Sequence, residues 1–244
     1  MPKSKFKTII EGSVQIKVPA ETKISKELPV FYNPVMRLNR DVSVLLLNSI
    51  DKKGMQIALP LTGTGVRGLR FLKELDKDKI KAVYFNDYSK KAYDLIKENL
   101  KLNKIKKSKA EVSNKDANQF MLGSKGFDYI DIDPFGSPNR FLNSAIDRLA
   151  RDGILAVTAT DTAPLCGTFP SACLRKYWAR PLRNELMHEL GLRILIRKIQ
   201  LVAAQYDKAL KPIFAYYRDH YFRIFFKAEK GKQKADELFK EFGC

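Results

Sequence analysis

From Met55 onward the chain alternates short apolar runs with segments of helical period. The runs predict strands at Met55–Pro60, Ala82–Phe85, Lys109–Ser113, Phe127–Ile132, Ile154–Thr160, Ile213–Tyr217 and Tyr221–Lys227. Helices are predicted between them: Arg67–Glu74 after a glycine-rich turn, a segment capped by Ser89 and running to about Asn103, and one from Pro138 or Asn139 to near Arg151. That alternation is the signature of a parallel sheet covered on both faces. The last two strands are separated only by Arg218-Asp219-His220, too short for a helical crossover, so they should pair as an antiparallel hairpin. Residues 1–50 do not fit a βα unit. Val14, Ile16 and Val18 alternate with Gln15 and Lys17, which reads as a short strand with one buried face in an N-terminal cover. After Lys227 the chain turns polar, with a short helical pattern from Ala235 to Phe242.

Charge changes the picture. The chain has 244 residues, with 45 Lys plus Arg against 27 Asp plus Glu, a formal net charge of +18. The excess is absent from residues 228–244, which hold four basic and four acidic side chains. A folded basic surface facing a polyanion therefore fits better than a basic arm. Lys101–Lys109 holds five lysines, and Leu174–Lys198 holds seven basic residues with Tyr177 and Trp178 among them. The lysine cluster reads first as a solvated helix end and loop, whereas the second, with aromatics and arginines able to fork onto phosphates, reads as readily as a phosphate-binding face. No apolar run approaches the ~18 residues of a membrane span, and the N-terminus lacks the pattern of a secretory signal, so a cytoplasmic location is expected. Three cysteines, Cys166, Cys173 and Cys244, do not make a disulfide framework. His188 and His220 read as structural.

The first predicted strand of the sheet runs into Thr62-Gly63-Thr64-Gly65-Val66-Arg67-Gly68, a G-x-G-x-x-G between strand and helix. It suits either a ligand-facing turn or a turn with glycines for packing alone. The second strand ends at Asn86-Asp87, 22 residues past Gly65, where a carboxylate can accept hydrogen bonds from both hydroxyls of a ribose. After the third strand, Asp116-Ala117-Asn118 can read an adenine edge, cap the next helix, or do both. Arg67 can pair with the methionine carboxylate of S-adenosylmethionine, and Arg37 and Arg40 can serve the same end. Five βα units followed by a hairpin resemble the class I S-adenosylmethionine-dependent methyltransferases. The expected fold is thus α/β, with a Rossmann-like seven-stranded sheet, a terminal antiparallel hairpin and a small β-containing N-terminal cover.

The fourth strand ends in Asp131-Ile132-Asp133-Pro134-Phe135-Gly136-Ser137-Pro138. Asp133-Pro134-Phe135 resembles the [Asp/Asn]-Pro-Pro-[Tyr/Phe] stretch of enzymes that methylate exocyclic amines of nucleobases. Such an amine is a poor nucleophile, because its lone pair is delocalised into the ring, so acceptors must hold its hydrogens and aim the lone pair at the methyl carbon. The Asp133 carboxylate and the Pro134 carbonyl are the candidate acceptors; proline fixes the chain direction, and Phe135 supplies a surface for a flipped base. The plainer reading is a helix cap and a turn. Asp161 is a further candidate for the base pocket, and Cys166 raises a competing mechanism, addition to C6 of a pyrimidine.

Together these stretches are similar to the tRNA (guanine-N2)-dimethyltransferases. The match also includes Val30–Pro34, Leu38–Asp41, Thr158–Asp161, Ala163–Gly167, Ala172–Tyr177 and Ala215–Phe222. The resemblance implies an enzyme that transfers two methyl groups from S-adenosylmethionine to guanine 26 of tRNA and needs no protein partner. It implies cofactor contacts from Arg40, Gly63, Gly65, Arg67, Asp87, Asp116 and Ala117. Asp133 and Pro134 would hold the guanine amine, with Phe31 and Phe135 packing on the base. Two departures stand out: Leu59-Pro60 replaces the acid that members often carry at the end of the first strand, and the family continues into a C-terminal tRNA-binding domain. The implied organisation is a cover with cofactor-site residues over 1–53, a methyltransferase domain over 54–227, and the start of that further domain over 228–244. Cys244 would be a first zinc ligand if the chain continued, but one cysteine cannot form a site.

Overall fold

A computed structural model describes residues 6–20 and 28–240. Cys244 and the end of the predicted 235–242 helix lie outside the described residues. The strands form a two-stranded sheet and a seven-stranded mixed sheet, and the chain divides into two compact units, residues 1–120 and 121–244.

In the first unit, β1 (Phe6–Glu11) and β2 (Val14–Pro19) form an antiparallel hairpin; β2 matches the predicted strand, and β1 is additional. Helix α1 (Arg37–Ser49) follows, then β3 (Met55–Leu59), α2 (Val66–Glu74), β4 (Ile80–Asn86), α3 (Lys90–Leu102), β5 (Ala110–Ser113) and α4 (Ala117–Leu122). β4 lies between β3 and β5 and is parallel to both. Ser89 caps α3, its side chain accepting from Ala92 N, as its position predicts.

The hairpin docks through Val14, Ile16 and Val18, which pack with Val66 and Leu69 of α2. Its backbone is then satisfied by side chains of α3. Asn99 Oδ1 accepts from Lys17 N (2.8 Å) and its Nδ2 donates to Lys17 O (3.2 Å) and Thr64 O (3.0 Å). Asn103 repeats the pattern one turn later on Gln15 N (3.0 Å) and Gln15 O (2.6 Å). Two amides, one on α3 and one at its C-cap, thus take the place of a neighbouring strand.

The second unit contains β6 (Phe127–Ile132), α5 (Asn139–Arg148), β7 (Leu149–Ala159), α6 (Thr162–Leu165), α7 (Pro170–Tyr177), α8 (Met187–Ala204), β8 (Lys208–Arg218), β9 (Tyr221–Lys230) and α9 (Lys232–Lys240). β6 pairs parallel with β7, β7 antiparallel with β9, and β9 antiparallel with β8. The terminal hairpin is as predicted, with Arg218 paired to Tyr221 across Asp219 and His220.

Several boundaries differ from the sequence-based expectation, β4 beginning at Ile80 and β9 running to Lys230 among them, and three have a visible cause. α5 stops at Arg148, because the buried Lys208 ammonium donates to the carbonyls of Ile146, Asp147 (3.0 Å) and Leu149 (2.8 Å), a cation closing a helix C-terminus. β7 starts at Leu149, since its pairing with β6 shifts register between Phe127 and Tyr129 and accommodates Asp152 at φ 56. β8 starts at Lys208; Pro212, which reads as a strand boundary, sits at a register shift in a strand bonded on one side only, where proline is tolerated.

Arg223 of β9 is fully buried. Its Nη1 donates to Asp131 Oδ1 (2.9 Å) and Thr158 Oγ1 (3.0 Å), and its Nη2 to Asp131 Oδ2 (2.7 Å) and Tyr129 Oη (3.2 Å). Tyr129 Oη in turn donates to Asp131 Oδ2 (2.6 Å). Burial alone would lower the guanidinium pKa; the Asp131 charge more than offsets that and holds it above the ordinary arginine value.

Two stability predictions follow from these buried polar groups. Asn99→Ala leaves interior amide and carbonyl groups without partners and should cost about 3 kcal/mol in urea unfolding. Arg223→Met, which strands the Asp131 carboxylate, should cost ~3–5 kcal/mol, and adding Asp131→Leu should recover much of that loss.

Candidate functional site

Gly63, Asp87 and Asp116 lie in the turns that follow β3, β4 and β5, at the carboxyl ends of these strands. Asn86 joins these ends: its Nδ2 donates to Pro60 O (3.0 Å) and Lys115 O (3.0 Å), and its Oδ1 accepts from Lys115 N (3.1 Å) and Ser113 Oγ (2.8 Å). The next residue, Asp87, accepts from Gly63 N through Oδ2 (2.8 Å) and from Ser89 N through Oδ1 (2.9 Å). Burial pushes the Asp87 carboxyl above its ordinary value, against the pull of those two backbone donors. Each oxygen keeps a lone pair beyond its one backbone bond, the capacity needed to accept from two vicinal hydroxyls.

The glycine turn has protein-internal reasons for its composition. Gly63 lies at φ 57, and a Cβ there would come within 2.8 Å of Phe31 O. A Cβ at Gly68 would meet Phe85 at 2.3 Å and Leu59 at 2.6 Å, so this glycine brings α2 onto the strands. Gly65, at φ 85, is the N-cap of α2, and no side chain caps that helix. Its first backbone N–H groups are thus left to another acceptor, as at helix ends that face anionic or polar ligands.

Asp116 caps α4, with Oδ1 accepting from Asn118 N (2.8 Å) and Gln119 N (3.2 Å), and Ala117 is buried behind it. Arg67 is buried in the first turn of α2 and donates from Nη1 to Ser43 Oγ (2.9 Å). Arg40 is held by Glu11, an acid that the sequence reading passes over. Its Nε and Nη2 each reach a Glu11 oxygen at 2.6 Å, and Nη2 also donates to Asn33 O (3.2 Å), so the bonds to Glu11 and Asn33 leave the Nη1 edge unused. Burial works to raise the Glu11 carboxyl, but the hydrogen bond and charge of Arg40, with Tyr32 and Arg70, hold it below the ordinary value.

In the second unit, β6 delivers Asp133-Pro134-Phe135 into a loop with Pro134 buried, Asp133 half-buried and Phe135 49% exposed. The loop is fastened on its far side. Gly136 N donates to Thr160 Oγ1 (2.7 Å) and Thr160 N to Gly136 O (3.0 Å). Tyr177 Oη donates to Asp161 Oδ1 (2.6 Å) and lies 3.0 Å from Ser137 Oγ, while Asn139 Nδ2 donates to Lys176 O (2.7 Å). Burial first, then the Asp161 charge, pushes the Tyr177 phenol up, so it remains a donor. Helix α5 takes Pro138 as its N-cap, so Asp133 is not the cap of that helix.

The buried Arg223–Asp131 pair lies close to this loop: Asp133 is the first residue after β6, two past Asp131, and its charge acts on Arg223. Sequence reasoning quotes Asp131 and Thr158 without finding their shared partner. The available signal was an arginine in the otherwise apolar run Tyr221–Phe226. Cys166 is buried and its thiol is pushed up by burial, the wrong direction for a nucleophile. His188 stacks on Tyr217 at 3.9 Å, whereas His220 is exposed at the hairpin tip. Among the described residues, no group of His, Cys, Asp and Glu is placed to hold a metal ion.

Comparison with known proteins bears on the family and the fold. A family model described as N2,N2-dimethylguanosine tRNA methyltransferase matches residues 12–244. The tRNA (guanine(26)-N(2)/guanine(27)-N(2))-dimethyltransferase of Aquifex aeolicus is 49% identical over 96% of this chain and 60% of its own length. The tRNA (guanine(26)-N(2))-dimethyltransferase of Pyrococcus horikoshii is 46% identical over 96% and 63% respectively. The chain therefore spans about three fifths of the length of these relatives. A structure of Trm1 from Pyrococcus horikoshii in complex with S-adenosyl-L-methionine superposes with a TM-score of 0.86 at 45% identity, covering 94% of this chain and 63% of that one. Trm5b from Pyrococcus abyssi, at 14% identity and a TM-score of 0.64, shares the fold. The chain belongs to the N2,N2-dimethylguanosine tRNA methyltransferase family.

Proposed function

We propose that this chain transfers one and then two methyl groups from S-adenosylmethionine to the exocyclic N2 of guanine 26 in tRNA. The observation that carries the proposal is the Asp133-Pro134-Phe135 loop, fixed through Thr160 on one side and seated close to a fully buried ion pair. A rigid acceptor pair is what an amine needs when it must be held with its lone pair directed at carbon, because most of the catalysis is positioning.

In this reading Asp133 and the Pro134 carbonyl accept the two N2 hydrogens. Phe31 and Phe135 pack on the base. Asp87 accepts from the ribose hydroxyls of S-adenosylmethionine, Asp116 and Ala117 face its adenine, Gly63 and Gly65 shape the turn, and Arg67 with the Nη1 edge of Arg40 takes its carboxylate. Bound there, S-adenosylmethionine supplies a methyl carbon made electrophilic by the sulfonium. The residue set fits it: the half-buried carboxylate of Asp87 retains acceptor capacity, and α2 begins without a side-chain cap. The division into a cover over 1–53, a catalytic domain over 54–227 and the start of a further segment over 228–244 is part of the proposal, as are tRNA binding and a cytoplasmic site of action. No helix among the described residues is long and apolar enough to cross a membrane.

Labelled-methyl transfer to an unmodified tRNA transcript, followed by nucleoside analysis, tests activity, base and methyl count together. N2-methylguanosine should appear first and N2,N2-dimethylguanosine later; label on a pyrimidine, or no label, would overturn the assignment. Asp133→Ala should lower kcat by on the order of a hundredfold with an unchanged unfolding midpoint, through lost alignment of the amine. Asp87→Ala should act mainly on cofactor binding, raising the KM for S-adenosylmethionine roughly ten- to a hundredfold. Cys166→Ala should remain active. An NAD-dependent oxidoreductase would share the glycine turn and Asp87 but leave Asp133-Pro134-Phe135 without a role, and calorimetry separates it: tight binding of NAD without S-adenosylmethionine binding would exclude methyl transfer.

A further inference from the structure

The turn after α7 carries a group that the proposed chemistry does not use. Trp178 is the only tryptophan of the chain. It is 51% exposed and is held in the left-handed region at φ 58, ψ 32, an uncommon conformation for a bulky side chain. Lys198 of α8 places its ammonium over one face of the indole. That lysine is 6% exposed and makes no hydrogen bond or ion pair among the described residues, so the ring is its cover.

The surroundings are strongly cationic. Arg175, Arg180 and Arg183 are exposed and form no ion pair among the described residues, while the exposed Lys176 reaches Asp161 at 3.1 Å. The turn is also tied to the loop that carries Asp133. The residue two before Trp178 accepts from Asn139 Nδ2 through its carbonyl, and the residue immediately before it bonds Asp161 and contacts Ser137.

We propose that Trp178 is a stacking platform for a base of the RNA that lies next to the one presented to Asp133, with the phosphates of that strand taken by Arg175, Arg180 and Arg183. This rests on the reading of the chain as an RNA methyltransferase. An aromatic face ringed by cations that lack counter-charges matches single-stranded nucleic acid, because every base has a π-face and every linkage a negative charge. An apolar protein surface docked here would bury the three arginines without partners, and an acidic one would leave the indole unused. The ammonium beneath the ring fixes its plane, so a base meets a surface that is already oriented.

Because no other tryptophan contributes, indole emission reports on this position alone. Adding an unmodified tRNA transcript should quench the emission and shield it from iodide. Heparin, which offers charge without bases, should compete for binding yet leave the emission unquenched. Trp178→Ala should weaken tRNA binding about five- to a hundredfold, whereas Trp178→Phe should stay within about threefold, both melting near the parent temperature. Unchanged emission at saturating tRNA, or parental affinity in Trp178→Ala, overturns the platform and leaves guanine methylation untouched. Asp133→Ala should still show the quench. Quenching by tRNA in a chain that methylates no guanine would retain the platform and overturn the methyltransferase reading, and a chain that binds no tRNA overturns both.

Discussion

The second unit is arranged around one charge that has no access to water. A guanidinium in the interior is costly unless its donors are met, and Arg223 meets those of Nη1 and Nη2 with a carboxylate, a hydroxyl and a phenol drawn from β6 and β7. A hydrophobic contact at the same place would let β6 and β7 slide by a fraction of an ångström without great loss. The bidentate geometry between Arg223 and Asp131 does not, because both oxygens must stay in line with the fork. Asp133 follows directly on the end of β6, two residues past Asp131, and inherits that fixed origin. The fastening at Thr160 and Asp161 then constrains the loop from its other end.

The first unit solves a related problem at the carboxyl ends of β3, β4 and β5 with an amide. Asn86 gathers three strand ends through one amide, and Asp87 beside it is held by two backbone donors. The glycine turn is closed by contacts with Phe31, Leu59 and Phe85, so both readings left open by its sequence are compatible: packing requires these glycines, and the resulting turn leaves the start of α2 uncapped. The Arg40–Glu11 pair ties the N-terminal hairpin to the helix that follows it, so the cover and the arginine ascribed to the cofactor are parts of one device.

Much of this was legible because it is periodic or local. The strands from β3 to β9, the cap at Ser89 and the cap at Asp116 depend on alternation or on residues two or three apart. Helix α1 escaped notice because Arg37–Ser49 opens without a side-chain cap and its Leu45-Leu46-Leu47 run reads as easily as a strand. The start of β7 and the start of β8 were obscured by a glycine and a proline that serve register shifts rather than breaks. Pairs such as Asn99 with Lys17, or Arg223 with Asp131, are separated by 82 and 92 residues, and no local pattern announces them. The loop that carries Asp133 was conspicuous for its residue types, whereas what holds it in place was not.

The amides of Asn99 and Asn103 have one more consequence. A strand in a two-stranded hairpin ordinarily presents a row of unmet N–H and C=O groups, a template onto which another chain can add. Along Gln15 and Lys17 that template is already occupied, by groups that belong to a helix and its C-cap and cannot themselves be extended. The hairpin is therefore sealed on this side against strand exchange between molecules, a useful property for a small cover that must remain with its own chain.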